Sequence, residues 1–204
     1  GSVGTVMPDV EVKIGENNEI LLRGKTITTG YYKKPEATAA AIDRDGWFHT
    51  GDAGYLKDSH LYLTERIKDL FKTSNGKYIS PQALETKLAI DRYIDQIAVI
   101  ADERKFVSAL IVPVYGFVKD YAKEKGIAYS NMDELLQHPK IQALFRARID
   151  TLQQQFAHYE QVKRFTLLTE PFSMERGELT NTLKLKRSVV AKNYKGLIDK
   201  MYEE

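Results

Sequence analysis

The sequence predicts an α+β protein in two parts: a small antiparallel β subdomain over residues 1–67 and an α+β domain over residues 68–204. Apolar and polar side chains alternate near the N-terminus, which is typical of half-buried strands. Two apolar runs rich in β-branched residues follow near the middle of the chain, and apolar residues at helical spacing follow after those. The second part should therefore have a β-hairpin or sheet core with flanking helices, and 204 residues suit one large or two small domains.

The N-terminal part is predicted to be a small antiparallel sheet. Residues 10–14 alternate apolar and charged side chains, and residues 19–23 return as a second strand after a turn at 15–18. Pro35 suits the first turn of a helix, which the Ala-rich residues 36–42 continue.

Two or three short strands are expected between residues 53 and 72, with a hairpin turn at Asp58 and Ser59. Immediately before them lies Thr50-Gly51-Asp52. Taken alone, this triplet predicts a plain turn, because Gly and Asp tolerate tight backbone geometry.

The second part begins with a helix that Ser80 caps and Pro81 starts, ending near Ile90. Residues 94–101 and 106–114 are the two apolar, β-branched runs, joined by charged residues. They predict a β-hairpin at the centre of this domain.

The rest of the chain is predicted to be mainly helical, with one strand ending near Thr169. Asn131 and Glu134 are spaced like a capping box. After Pro139, apolar residues recur at helical spacing and predict one buried face; they are Ile141, Leu144, Phe145, Ile149, Leu152 and Phe156. A final amphipathic helix is expected, and one face of it is lined by Val189, Val190, Tyr194, Leu197, Ile198 and Met201.

Composition narrows the possible functions. Thirty basic and 28 acidic residues nearly cancel to a net charge of +2, which argues against a general binder of nucleic acid or membrane surfaces. The sequence has no cysteine, so disulfides and Cys-based metal sites or nucleophiles are excluded. His138 and His158 lack partners at metal-ligand spacing, so no metal site is expected and both histidines are interpreted as structural or exposed.

Chemistry is concentrated in residues 47–85. This stretch contains Thr50-Gly51-Asp52, then Arg66 and Lys68, then Ser74-Asn75-Gly76. Each piece has a simple structural explanation; Arg66 and Lys68, for example, would usually lie on a solvated strand face. Their order and spacing together are much harder to obtain by chance.

That combination resembles the adenylate-forming acyl-CoA synthetase superfamily, and most closely its long-chain fatty acid branch. The resemblance implies that Thr50, Asp52 and Arg66 bind the nucleotide. An ionised Asp only accepts hydrogen bonds and can take both ribose hydroxyls. Arg has a fixed fork of donors that can hold ribose and phosphate oxygens together.

The same resemblance implies roles for the residues that follow. Lys68 falls at the hinge between the large and small domains of the family. Ser74, Asn75 and Gly76 match the loop that meets coenzyme A, where a glycine lets a ligand approach the backbone closely. Residues 1–67 would then be the end of the large N-terminal domain, with part of the nucleotide site.

A second chemical motif covers residues 177–187, which end in a basic cluster. By resemblance Lys184 is the catalytic lysine, and Arg187 is the arginine three residues later. Many family members have Gly directly before that lysine, whereas this sequence has Leu183. Without the resemblance, the cluster would be interpreted as solvated charge, and Lys186 stays an alternative for the catalytic position.

The implied reaction has two halves. A fatty carboxylate attacks the α-phosphate of ATP, which gives acyl-adenylate and pyrophosphate, and the coenzyme A thiol then displaces AMP. A lysine suits the negative charge that builds between carboxylate and phosphate, and Mg²⁺ would bridge the phosphates. A swing of the small domain about its hinge would bring first Lys184 and then residues 74–76 to the site.

Three interpretations remain. The favoured one is the C-terminal fragment of a long-chain fatty acid CoA ligase, inactive alone because the phosphate loop, the adenine pocket and an acyl tunnel have no counterpart in the sequence. The second is a related enzyme that passes the acyl group to a carrier-protein phosphopantetheine. The third is a non-catalytic interaction module.

Partners and location follow from the favoured interpretation. Fatty acid, ATP and coenzyme A would be the ligands, nucleic acid would not bind, and the fragment could form a homodimer through the face that otherwise packs on the large domain. A cytoplasmic location is expected, with peripheral attachment to a membrane left open, since no apolar run reaches the ~18–20 residues of a membrane span.

Overall fold

The computed structural model describes residues 2–203, and at Glu65 and Lys68 it describes the backbone alone. The chain forms two compact units, the first ending at Leu70 and the second beginning at Phe71. Together they contain antiparallel sheets with flanking helices, so the predicted α+β class is confirmed.

The first unit is built on a five-stranded antiparallel sheet in the order β1-β5-β4-β3-β2. Its strands are β1 (Gly4–Thr5), β2 (Val10–Ile14), β3 (Glu19–Gly24), β4 (Phe48–Lys57) and β5 (His60–Arg66), with one helix, α1 (Pro35–Ala41). Short 3-10 turns cover Glu16–Asn18 and Ile67–Asp69.

Two turns shape this sheet as the sequence predicts. Asn17 and Asn18 both have positive φ, 53° and 59°, between β2 and β3. Asp58 and Ser59, with φ of 49° and 61°, form the two-residue connection between β4 and β5. Asn and Asp are among the few residues that tolerate this left-handed geometry, which suits the twist of a two-residue hairpin.

The prediction of a plain turn at Thr50-Gly51-Asp52 is wrong. The triplet lies inside the ten-residue strand β4, between β3 and β5. Asp52 pairs with Arg66 of β5, while residues 50–52 bulge opposite Ile20 of β3, and Gly51 in this bulge has a left-handed φ of 69°. A glycine can take that value inside a strand because it has no Cβ.

The second unit has a three-stranded sheet in the order β10-β9-β8, in which β9 is antiparallel to β8 and parallel to β10. Its strands are β6 (Phe71–Lys72), β7 (Tyr78–Ile79), β8 (Ile94–Ile100), β9 (Val107–Pro113) and β10 (Val162–Leu167), where β6 and β7 form a separate pair. Its helices are α2 (Pro81–Leu88), α3 (Tyr115–Glu124), α4 (Met132–Gln137), α5 (Pro139–Leu152), α6 (Arg187–Asn193) and α7 (Lys195–Lys200).

The central strand β9 is buried at every position and supplies both hydrophobic cores of this unit. Ala109 and Ile111 point into a core shared with helices α2 to α5. Leu110 and Val112 point into a second core, which includes Val190 of α6. A strand covered on both faces reads as a continuous apolar run, and this explains why residues 107–113 lack polar alternation.

The helix boundaries follow the predicted caps. The Ser80 side chain accepts from the Ala83 N–H at the start of α2, and Asn131 accepts from the Glu134 N–H at the start of α4. The His138 ring accepts from the Lys140 N–H, so this histidine caps α5.

Two helix predictions need correction. Helix α5 ends at Leu152, so Phe156 lies beyond it, although Phe156 still packs against the same core. The predicted single C-terminal helix is two helices that meet at Tyr194. Asn193 and Gly196, which are weak helix formers, flank this break, while Tyr194 packs edge-on against Phe172.

In the part of the chain that the structure describes, every helix is too short or too polar to cross a membrane.

Candidate functional site

The first candidate site contains a carboxylate and a guanidinium group that lie on two paired strands. Asp52 of β4 and Arg66 of β5 are register partners, and Arg66 Nε lies 3.1 Å from Asp52 Oδ1. The Arg66 side chain remains 58% exposed and that of Asp52 31%. The pair is therefore held in one geometry, while both side chains still offer polar atoms to a ligand.

The backbone between Thr50 and Asp52 is fixed by hydrogen bonds. The Thr50 hydroxyl donates to the Ile20 carbonyl at 2.7 Å and accepts from the Asp52 N–H at 3.1 Å. The Gly51 N–H donates to Glu19 Oε1 at 3.0 Å. Thr50 thus acts on the geometry of the segment, and it also borders the open depression beside it.

That depression has a volume of about 800 Å³ and lies on the first unit beside β4. Its wall includes both cations and anions, among them Lys13, Glu19, His49 and Arg66.

The predicted hinge falls on a short turn. Lys68 is the middle residue of the 3-10 turn Ile67–Asp69, and its side chain lies outside the described residues. The turn follows Arg66 directly and ends at Leu70, whose N–H donates to the Ile67 carbonyl at 3.1 Å. The turn lies in the first unit, close to its last residue Leu70, and a short turn at the end of an element is a place where a few dihedral angles can change.

Residues Ser74, Asn75 and Gly76 form an exposed turn between β6 and β7. Gly76 has a φ of 74°, and its N–H donates to the Thr73 carbonyl at 2.8 Å. The Ser74 N–H donates to the Arg104 carbonyl at 3.0 Å, which ties this turn to the β8–β9 connection. The turn therefore exposes backbone at a glycine, as a close ligand contact requires.

Lys184 stands at the tip of a small hairpin. Leu179 pairs with Leu185, and the Thr180 N–H donates to the Lys184 carbonyl at 2.8 Å. The Leu183 N–H donates to the Thr180 carbonyl at 2.9 Å, and Leu183 has a φ of 59°. A turn that ends in a left-handed residue is a common three-residue hairpin loop, and glycine is preferred at that last position.

This geometry accounts for the unusual leucine. Leu183 occupies the left-handed position, and its side chain is 67% exposed, so it fits without steric conflict. The left-handed region costs a non-glycine residue on the order of 1–2 kcal/mol. The hairpin is thus built in the same way with Leu183 as it would be with glycine.

Lys186 and Arg187 have different surroundings from Lys184. Lys186 precedes α6, and its N–H donates to the Glu178 carbonyl at 2.8 Å at the base of the hairpin. Arg187 makes two hydrogen bonds to Glu85, of 2.6 and 2.7 Å, and Glu85 also accepts from the Val99 N–H. Arg187 is therefore held by a structural ion pair that ties α6 to α2 and β8.

The sequence did not indicate that Glu178 is buried. Its side chain is 1% exposed, and its two oxygens accept from Arg176, Asn193 and the Ser173 N–H. Burial alone would raise the pKa of Glu178, but Arg176 and the two hydrogen bonds outweigh it and hold the pKa below its usual range. A carboxylate in this state fixes the base of the Lys184 hairpin.

The structure thus brings Thr50, Asp52 and Arg66 into one site on the first unit, and it places Lys184 and residues 74–76 on two hairpins of the second unit. Sequence reasoning did not identify what Glu19, Glu85 and Glu178 hold in place. Glu19 and Glu85 have no local signal that reveals a partner 30 or more residues away, at His49, Gly51 or Arg187.

Residues 68–204 match the family model described as the AMP-binding enzyme C-terminal domain. The chain belongs to this family of AMP-binding enzymes. The resemblance inferred from the motifs is therefore confirmed.

Curated relatives point to one branch of the family. The chain is 35% identical over its whole length to "Long chain acyl-CoA synthetase 7, peroxisomal" of Arabidopsis thaliana, of which it covers 32%. It is 32% identical, again over its whole length, to "Long-chain-fatty-acid--CoA ligase FadD15" of Mycobacterium tuberculosis, of which it covers 34%. The chain thus spans about a third of the length of these relatives.

Solved structures share the fold. The adenylation domain of the carboxylate reductase from Mycobacterium chelonae superposes with a TM-score of 0.71 at 24% identity, and the match covers 100% of this chain and 34% of that one. The O-succinylbenzoate coenzyme A synthetase from Bacillus subtilis, in complex with AMP, gives 0.57 at 23% identity, covering 92% and 34%. These matches show the fold.

Proposed function

We propose that this chain is the C-terminal part of a long-chain fatty acid CoA ligase, an AMP-forming enzyme that joins a fatty carboxylate to coenzyme A. The observation that carries the proposal is the Asp52–Arg66 pair, held across two strands and still exposed. Two relatives that match the whole chain support the proposal. One is named as a long-chain acyl-CoA synthetase and the other as a long-chain-fatty-acid CoA ligase.

In this proposal the first unit binds the ribose end of the nucleotide. An ionised Asp52 accepts from the ribose hydroxyls, and Arg66, which forms a salt bridge with Asp52, has donors for ribose or phosphate oxygens. Thr50 fixes the backbone between them through its bonds to Ile20 and Asp52. The site is thus organised before the ligand arrives, which lowers the cost of binding.

Lys184 would act at the reacting phosphate. It is exposed at a hairpin tip whose backbone is tied down, so its ammonium group can reach a ligand from a rigid base. Negative charge builds between carboxylate and α-phosphate in the adenylation transition state, and a positioned cation stabilises that charge. The hairpin favours Lys184 over Lys186, because Lys186 lies at the base beside α6.

The described residues contain no group of three or more His, Asp or Glu arranged to hold a metal ion. In this proposal Mg²⁺ enters as the ion bound to the triphosphate of ATP.

The second half of the reaction would use the turn at Ser74, Asn75 and Gly76. Its exposed backbone, with the open φ of Gly76, suits close contact with the pantetheine arm of coenzyme A. A change in the dihedral angles at Lys68 would move the Lys184 hairpin away from the nucleotide and bring this turn to it. We further propose a cytoplasmic location, with the enzyme reaching fatty acids at a membrane surface.

The test uses a full-length protein that carries this chain together with the remaining two thirds of its relatives' length. Incubation with ATP, Mg²⁺, palmitate and coenzyme A should release pyrophosphate and form acyl-CoA in equal amounts. Pyrophosphate release without acyl-CoA, but with acylation of an added carrier protein, would instead identify the carrier-dependent enzyme. If neither product forms and ATP does not bind, the chain is a non-catalytic module.

A further inference from the structure

One carboxylate lies behind the proposed nucleotide segment and touches it twice. Glu19, the first residue of β3, binds His49 through one oxygen and the Gly51 N–H through the other, at 2.8 and 3.0 Å. An ionised carboxylate only accepts, so the His49 Nδ1–H and the Gly51 N–H are the donors. The two donors flank Thr50, and the carboxylate therefore spans the segment that leads to Asp52.

The position of Glu19 is itself fixed. The Gly15 N–H donates to the Glu19 carbonyl at 2.8 Å, and Glu19 pairs with Ala53 in the sheet. Its side chain is only 18% exposed. A carboxylate held at its backbone and shielded from water makes stronger hydrogen bonds than one on a free surface.

His49 is held from a second side as well. Its Nε2 lies 3.7 Å from Asp43 Oδ2, so the ring stands between the carboxylates of Glu19 and Asp43. Asp43 also accepts from the Trp47 and Asp45 N–H groups, which close the loop that enters β4. The ring therefore joins the start of β4 to β3.

Gly51 is the point where this support matters most. Its φ of 69° is left-handed, and it lies in the bulge of β4, outside the register pairs with β3 and β5. Its N–H donates instead to Glu19 Oε1. Because Asp52 follows directly, the direction of its carboxylate depends on the dihedral angles of Gly51.

We propose that Glu19 and His49 are positioning residues for ATP: they hold Gly51 so that Asp52 and Arg66 meet the ribose. This inference rests on the proposed function, because it names two further residues of the same nucleotide site. Neither residue needs to touch the nucleotide, and their effect passes through the backbone of β4. Substitution of either residue should therefore weaken the binding of ATP more than it slows the chemical step or weakens the binding of coenzyme A.

The experiment compares the Glu19→Gln variant with the wild type in the full-length protein. Calorimetry gives the Kd for ATP, and the rate of acyl-CoA formation gives the KM for ATP and for coenzyme A. We expect the Kd and KM for ATP to rise by about tenfold, which corresponds to about 1.4 kcal/mol. The kcat should stay within about threefold, and the KM for coenzyme A should not change, as for a loss of uniform binding.

A matched control is available on the neighbouring strand. Glu11 of β2 also forms a two-point contact, with Arg23, but it is exposed and lies away from β4. Glu11→Gln should leave the Kd for ATP unchanged. His49→Ala should weaken ATP binding as Glu19→Gln does, and His49→Gln should restore much of it, because its amide N–H can still donate to Glu19.

The outcomes separate this inference from the function on which it rests. If Glu19→Gln lowers stability but leaves the Kd for ATP unchanged, the pair is only structural and the inference is wrong. If the wild type binds ATP but forms no acyl-CoA, the proposed function fails, and the Kd values of the variants still decide the role of Glu19. If the wild type does not bind ATP, both are overturned.

Discussion

The segments that contain Asp52 and Lys184 each have a left-handed residue directly before that side chain, but the surroundings of the left-handed residue differ. Gly51 directly precedes Asp52, and Leu183 directly precedes Lys184; both have left-handed φ values, 69° and 59°. In each case a left-handed residue reorients the chain just before the side chain that carries the proposed chemistry. Gly51, however, lies in a bulge inside β4, whereas Leu183 lies at an exposed hairpin tip.

The contacts of the two functional side chains differ accordingly. Asp52 contacts Arg66 across the sheet. For Lys184, the hydrogen bonds within the described part of the chain hold its backbone, through Thr180, and none is made by its ammonium group. This difference fits the proposed roles, in which Asp52 binds the nucleotide in both half-reactions and Lys184 approaches it in the first only.

The largest expected effect concerns Lys184. In the full-length enzyme, Lys184→Ala should slow adenylation by about a hundredfold, on the order of 3 kcal/mol, because it removes charge that acts in the transition state. Conversion of supplied acyl-adenylate to thioester should persist. Lys186→Ala is the control, with less than threefold loss in either step, measured as pyrophosphate release and acyl-CoA formation. A larger effect at Lys186 would reverse the assignment.

The hinge comes next. Proline fixes φ near −65°, which lies in the 3-10 range of the turn that contains Lys68, so Lys68→Pro should hold the domains in one orientation. We expect adenylation to survive within about tenfold, while thioester formation falls by about a further thirtyfold, or about 2 kcal/mol. Lys68→Ala should be mild in both steps. Equal losses in both, in variants that circular dichroism shows to be folded, would mean that the proline only damages the structure.

Acid should weaken the support of the Lys184 hairpin. The pKa of Glu178 is lower when folded than when unfolded, so its stabilising effect is present above the unfolded pKa and is lost as the pH falls through the folded value. Glu178→Gln should lower the free energy of unfolding by about 1–3 kcal/mol at pH 7. It should also reduce the loss of that free energy as the pH falls from 7 to 3, measured by urea unfolding.

Glu170 provides the comparison, because it binds the same Arg176 from a side chain that is 73% exposed. Glu170→Gln should cost less than about 0.5 kcal/mol and leave the loss of stability at acid pH unchanged. Equal losses for the two variants would show that burial does not distinguish the two carboxylates.

The smallest effects test the two left-handed residues directly. Gly51→Ala should destabilise the first unit by about 1–2 kcal/mol through backbone strain alone, since a Cβ there has open space. Leu183→Gly should change stability by less than about 1 kcal/mol, in the stabilising direction, because relief of strain exceeds the added entropy of the unfolded chain. Leu183→Ala keeps the Cβ and should gain nothing. Thermal unfolding followed by circular dichroism would reveal a destabilising Leu183→Gly, which would contradict this account.

Local signals in the sequence were sufficient for most elements. The alternation at residues 10–14, the turn at Asp58 and Ser59 and the cap at Ser80 each act over a few residues, and the structure has each of them. The family motifs are equally local, so Asp52, Arg66 and Lys184 could be named as candidates before any contact was known. Their roles remain predictions.

Tertiary structure alone decided how those candidates are supported. Thr50-Gly51-Asp52 stays within a strand because β4 pairs with β3 before and after it and Asp52 pairs with Arg66 of β5. The C-terminal helix breaks at Tyr194, where that ring packs on Phe172. Glu19 meets Gly51 across 32 residues, and Glu85 meets Arg187 across 102. The sequence names the side chains that carry charge, but the free energy that holds them depends on partners distant in sequence, which only the folded chain brings together.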